Sequence, residues 1–255
     1  MEFRRVLFRS LRTEMDGAQD FDLALRLLPE LQSVVHLPRP LYYWRAWSES
    51  TAQSIDAKPW AQEAAARAQR DHLERTFAGG SVTPSAVRGL NDVHPAVAGD
   101  PVVSVIIPTI GTRNEEGTAR HVDIAVNSLL QAETSATLEI VVVTTGVIPD
   151  VPVEFHGKHR VKHVVYSTDA FNFSEAINTG RAAATGEYLL LLNDDTSVAE
   201  PNPVTRMLEL GQIDGVGIVG CKLSYPDRRL QHVGIVLLPS GPTHCWIGKG
   251  PKEYG

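Results

Sequence analysis

The chain has 255 residues, 43% apolar and 21% charged, with a formal charge of −6 and a pI near 5.8: an ordinary globular balance, with room for one large domain or two modest ones. The lack of a long basic run argues against nucleic acid as a partner, and the two cysteines, Cys221 and Cys245, build no disulfide framework and fit a reducing cytoplasm. Apolar runs such as VVSVIIP fall far short of the roughly 20 residues that span a bilayer, while peripheral attachment to a membrane stays compatible with the composition.

Residues 1–10, MEFRRVLFRS, resemble the in-frame translation of a sequencing-adapter oligonucleotide and are set aside from the fold argument. Residues 18–28, AQDFDLALRLL, read as a short helix with Asp20 near its start. SVVHLP reads as a brief strand ended by Pro38 and Pro40, and LYYWRAW as a strand or packed loop. A helix starts at Pro59, a residue suited to a first turn. Trp60, Ala64, Ala68 and His72 recur on one face, with Glu63, Arg67, Arg70 and Glu74 on the other. Gly79 and Gly80 stop it. Residues 79–100 are rich in Gly, Pro, Ser, Val and Ala without periodicity, and read as a linker between residues 11–78 and 101–255.

The texture changes at residue 101. VVSVIIP is a buried strand, followed by a helix from Arg120 to Gln131 and the strands LEIVVVT and VKHVVY. A helix from Phe173 to about Ala184 leads into the strand EYLLLL. VTRMLELGQ reads as a helix, VGIVG as a fifth strand and RLQHVGIVLL as a strand or hairpin arm. Alternating strands and helices predict an α/β fold, with a mostly parallel sheet covered by helices on both faces.

Ligands of such sheets bind beyond the carboxyl ends of the strands. The strand EYLLLL delivers Asn193, Asp194 and Asp195 to that edge. Adjacent carboxylates repel, so a cation or strong donors are expected beside them. Hard oxygen ligands suit Mn2+ or Mg2+ shared with a diphosphate; a helix cap or turn explains the same residues as well. Upstream, Asn172 with Glu175 fits a capping box, and Asn178 and Arg181 share one helical face from which they reach a phosphate or ribose, or only solvent. GVGIVG, residues 215–220, has the spacing of a dinucleotide fingerprint but lies in a predicted strand with no helix after it. Cys221, His232, His244 and Cys245 lack a paired C-x-x-C spacing for zinc.

VSVIIPT, LEIVVV and FNFSEAINTGRAAATGEYLLLLNDDTSV together resemble the nucleotide-binding half of a GT-A-fold, family 2 glycosyltransferase, and RLQHVGIVL resembles its rhamnosyltransferase-like, O-antigen or cell-wall branch. The resemblance implies transfer of a sugar from a nucleotide-diphosphate sugar of the UDP or dTDP type to a glycan or lipid-linked acceptor, by metal-assisted inverting displacement, in cell-surface polysaccharide synthesis at the cytoplasmic side. It places Pro108 and Thr109 near the base, Asn193, Asp194 and Asp195 as the Asp-x-Asp element, and Asp195 as ligand of Mn2+ or Mg2+. Asn193 departs from the usual first Asp. VVVTTG lacks the Asp that many relatives carry after the second strand, so Thr144 or Thr145 would substitute. QDFDLALR resembles the acidic motif on the acceptor side of the same family, which makes Asp20 the general base and Asp22 structural. Tyr43 stands where relatives often have a His before WR. A C-terminal half thus precedes an N-terminal half, as expected for an internal fragment of a tandem protein, itself inactive in transfer but able to bind a nucleotide sugar.

Overall fold

The computed structural model describes residues 11–43, 59–77, 79–146, 155–166 and 170–250. The adapter-like start and the WRAW segment at 44–47 lie outside the described residues. Two compact units divide at Ala96 and Val97.

In the first unit, a 3-10 turn at Thr13–Met15 precedes α1 (Gln19–Leu27), and a second at Leu28–Glu30 follows it. Residues 33–38 join no ladder, and Val34, Val35, Leu37, Leu41, Tyr42 and Tyr43 are exposed, so the expected SVVHLP strand does not form. α2 (Pro59–Phe77) buries Ala64, Ala66, Ala68 and Leu73. The supposed linker is partly ordered: β1 (Gly80–Pro84) and β2 (Asn91–Pro95) pair antiparallel. Two-residue alternation is weak here because the hairpin buries little besides Pro95, so composition hid it.

The second unit matches the α/β expectation more closely. Its elements run β3 (Val102–Pro108), α3 (His121–Gln131), β4 (Thr137–Thr144), β5 (Phe155–His156), β6 (His159–Val165), α4 (Phe173–Ala183), β7 (Tyr188–Leu191) and α5 (Pro203–Gly211). The strand order is β5-β6-β4-β3-β7, with β6, β4, β3 and β7 parallel. β5 is an antiparallel edge. Val103, Val105 and Ile107 alternate toward α3 and α5, where they pack with Leu138, Ile140 and Val142. Ile106, Val141 and Val143 face the other way, toward Ala176 of α4. Helices thus cover both faces.

α4 sits close because Gly180 has no side chain: a Cβ there would lie 2.4 Å from Ile106 Cγ2 and 2.9 Å from Val143 Cγ2. Ala is the better helix former by about 1 kcal/mol, but overpacking costs about 1–3 kcal/mol. Gly180→Ala is expected to lower stability on urea unfolding; a gain in midpoint would show that the helix can move off the sheet.

Two expected strands differ. β7 is an edge strand, and Leu189 and Leu191, on the α4 side of the sheet, are 46% and 54% exposed, so the strand is half-buried instead of buried. VGIVG forms no strand, and Ile218 is 93% exposed. Gly215, Gly217 and Gly220 leave this segment few side chains to pack. Beyond it, β8 (Leu223–Ser224) pairs with β9 (Leu230–His232), and β10 (Ile235–Leu238) with β11 (Gly241–His244), so RLQHVGIVLL supplies hairpin arms. Among the described residues, no helix is long and apolar enough to cross a membrane.

Candidate functional site

The chain leaves β3 for β4 on one side and returns to β7 on the other, so the carboxyl ends of β3 and β7 flank a reversal of strand order, where open α/β sheets bind ligands. Thr109, just past β3, is 2% exposed. Its Oγ1 donates to Asp194 Oδ2 at 2.5 Å and accepts from the Gly111 N–H at 2.9 Å. Its own N–H donates to the Val143 carbonyl. Thr109 therefore fixes one oxygen of Asp194 at the mouth of the sheet. A turn closed by Thr196 N–H to the Asn193 carbonyl presents Asp195 beside it, exposed. Pro108, Phe171, Phe173, Asn193, Asp194 and Asp195 line one cleft of about 200 Å³.

Among the described residues, no Lys, Arg or His forms an ion pair with Asp194 or Asp195, and no group of three or more His, Cys, Asp or Glu gathers as a metal cage. Two adjacent carboxylates without a cation are still the donor set that suits Mn2+ or Mg2+, ions that take one or two carboxylates and complete their shell with water and phosphate oxygens. The residues fit such an ion. Zinc fits less well: His232 Nδ1 and His244 Nδ1 meet at 2.8 Å, but neither cysteine joins them in a cluster.

The other expected donor residues divide. Asn172 is the N-cap of α4, its Oδ1 accepting from Glu175 N–H at 3.0 Å while its own N–H donates to Tyr166 Oη, so half of the expected capping box forms and that oxygen is already used. Asn178 and Arg181 are exposed further along α4, Arg181 in the last turn. At 1.5 Å per residue it lies about 13 Å along the axis from the cap. The cleft does not include either residue. Thr144 is 1% exposed, and its hydroxyl donates to the Gly146 carbonyl. It therefore accepts from His163 Nε2 at 2.8 Å. Burial lowers the His163 pKa, which favours the neutral ring. Both roles of the Thr144 hydroxyl are thus internal.

Asp20 is exposed, Oδ1 accepting from the Phe21 N–H at 2.9 Å. Asp22 is 0% exposed and bonds Arg12 and, at 3.0 Å, Arg26 Nε. Burial pushes the Asp22 carboxyl pKa up, but the hydrogen bond and charge of Arg12, then Arg26, outweigh it and hold the pKa below the usual carboxylate range. The two carboxylates, two residues apart, thus have opposite characters. Asp22→Asn should cost about 3–5 kcal/mol by breaking a buried pair, and Asp20→Asn less than about 0.5 kcal/mol. Paired thermal melts read the contrast; equal losses would assign Asp20 a structural role too.

Sequence reasoning missed three groups. Phe171 and Phe173 line the cleft, and the signal was two aromatics on either side of the cap residue Asn172. Glu139, inside the apolar run of β4, is 0% exposed. It accepts from Ser104 Oγ, Arg160 Nη2 at 2.6 Å, Lys162 Nζ at 2.8 Å and Thr185 N–H at 2.7 Å. Burial alone would raise its pKa; hydrogen bonds from Lys162, Ser104 and Thr185 prevail and hold it at about 2.

Residues 104–232, about half the chain, match the model of glycosyl transferase family 2. The chain belongs to this family. The four-stranded parallel sheet with helices on both faces is its α/β, Rossmann-like GT-A arrangement. An uncharacterised protein of Sinorhizobium fredii is 36% identical over 89% of this chain and 25% of its own length. The O-antigen biosynthesis protein RfbC of Myxococcus xanthus is 32% identical over 93% of this chain and 19% of its own. The family 2 chain described here thus spans a quarter or less of these curated relatives. A solved mannosyltransferase from Pyrobaculum calidifontis, in complex with GDP-Man and Mn2+, aligns over 70% of this chain and 48% of its own, at 20% identity and a TM-score of 0.42.

Proposed function

We propose that the second unit is the donor-binding part of a glycosyltransferase that moves a sugar from a nucleotide-diphosphate sugar, of the UDP or dTDP type, to a glycan or lipid-linked acceptor. The observation that carries this reading is the Thr109–Asp194 hydrogen bond, which ties the end of β3 to the carboxylate pair after β7 and leaves Asp195 open toward the cleft. Asp195, with Asp194 beside it, would hold Mn2+ or Mg2+, which would offset the negative charge on the leaving diphosphate. Asn193 would meet the ribose or the sugar in place of a third carboxylate. Asn178 and Arg181 would serve only a part of the ligand that extends along α4.

The reaction assigned is an inverting displacement. A general base takes the proton of the acceptor hydroxyl, the oxygen attacks the anomeric carbon, and the bond from that carbon to the diphosphate oxygen breaks. Asp20 is the candidate base. It belongs to the first unit, read as the acceptor-side remnant of another such domain, whereas the cleft belongs to the second. A second reading, binding of the nucleotide sugar without turnover, follows from reading Asp20 and the cleft as parts of two different transferase domains. The likeness to an O-antigen biosynthesis protein supports cell-surface polysaccharide synthesis, and the rhamnosyltransferase-like branch rests on RLQHVGIVL alone. The place assigned by the family resemblance is the cytoplasm or the inner face of the membrane.

Nucleoside diphosphate release from UDP- and dTDP-hexoses, with a lipid-linked glycan acceptor and Mn2+, separates the readings. Acceptor-dependent release lost in Asp20→Asn supports transfer with Asp20 as base. Saturable binding without release supports the second reading. Neither binding nor release would sink both.

A further inference from the structure

We infer that the nucleobase of the donor is held by stacking on Phe171 and Phe173 instead of by the hydroxyl of Thr144. The inference rests on the donor-site reading above and assigns the other end of the same ligand. The cleft has two unlike sets of lining residues. Asn193, Asp194 and Asp195 are polar or acidic, and Pro108, Phe171 and Phe173 are apolar. Phe171 and Phe173 are 42% and 49% exposed. Phe171 precedes the cap of α4, the position from which an apolar side chain staples onto the fourth helical residue. That residue is Ala176, whose methyl is wholly buried against the sheet and too small to cover a phenyl ring. Phe173 is the first residue of α4 and equally uncovered. Helix packing therefore accounts for only part of either ring.

A nucleoside diphosphate matches both sets, with a cation-bound diphosphate for the carboxylates and a flat aromatic base for the rings. The polar group that the family resemblance offers for reading the base, the Thr144 hydroxyl, has its proton on the Gly146 carbonyl and accepts from His163. Stacking holds any base, because every base has a π face. The site is therefore expected to bind UDP and dTDP within a few-fold of each other, with the aromatic rings supplying affinity more than choice of base.

The test is calorimetric titration of the full chain, in Mn2+, with UDP and separately with inorganic pyrophosphate, which lacks the base. Replacement of Phe171 or Phe173 by Leu keeps an apolar side chain and removes the ring; replacement by Tyr keeps the ring. The Leu variants should bind UDP about tenfold more weakly and pyrophosphate unchanged, while the Tyr variants bind UDP as the wild type does. Melting temperatures verify that each variant is folded. Wild type binding pyrophosphate as tightly as UDP, or Leu variants binding UDP as tightly as wild type, would overturn the stacking while leaving the donor site intact. Folded wild type that binds neither ligand would overturn the donor-site reading and the stacking with it.

Discussion

Glu139→Ala is expected to cost about 3–5 kcal/mol of stability, the penalty for breaking a buried ion pair from one side. The carboxylate holds three separate pieces of chain. Ser104 lies on β3, Arg160 and Lys162 on β6, and Thr185 in the connection from α4 to β7. Lys162 also reaches the Ala183 carbonyl at the end of α4. Glu139→Gln keeps the shape and loses the charge, and should cost about 3 kcal/mol, the free energy of a pKa held at about 2 against 4.5. Because the folded pKa is the lower one, this contribution is fully present above pH 4.5 and is lost as pH falls from 4.5 toward 2. Urea unfolding at pH 7 and at pH 3 reads it. Wild type should lose stability on acidification more steeply than Glu139→Gln. Equal slopes would mean that the carboxylate is protonated in the folded protein.

Asp195→Ala is expected to abolish metal-dependent nucleotide binding, at least about a hundredfold, since a metal ion at a diphosphate contributes several kcal/mol. Its fold should survive, because Asp195 is exposed and forms no ion pair with a described residue. Thr109→Val acts one step removed, freeing Asp194 without touching the ligand, and losses on the order of tenfold are typical for partners that orient a ligand. A Thr109→Val effect as large as that of Asp195→Ala would mean the hydroxyl contacts the ligand directly.

Much of the second unit was legible because its core strands bury both faces. Val103 to Ile107 and Leu138 to Val143 read as near-continuous apolar runs, interrupted only by Ser104 and Glu139, and such runs specify a central parallel strand. β7 was harder. LLLL reads the same whether a strand is central or at an edge, and only the tertiary arrangement leaves Leu189 and Leu191 half-exposed. VGIVG failed for the same reason, an apolar run with no partner strand among the described residues. The hairpin at 80–95 was missed because GSVTP and NDVHP bury too little for an alternating pattern.

At the cleft, Pro108, Thr109 and Asn193 to Asp195 were legible as residues at or just past strand ends, which the fold gathers at one edge. The sequence did not reveal that Thr109 bonds Asp194 across two strands, which depends on the parallel register pairing Ile106 with Leu191. Nor did it show that the Thr144 hydroxyl is spent on its own neighbours, because the histidine that meets it lies 19 residues away.

The central claim is that the carboxylates after β7 form a metal-dependent site for a nucleoside diphosphate. Calorimetric titration of the chain with UDP and dTDP, with and without Mn2+, tests it most directly. One saturable site that requires Mn2+ is the expected result. A folded sample that binds neither nucleotide, or binds them equally well without metal, would contradict it.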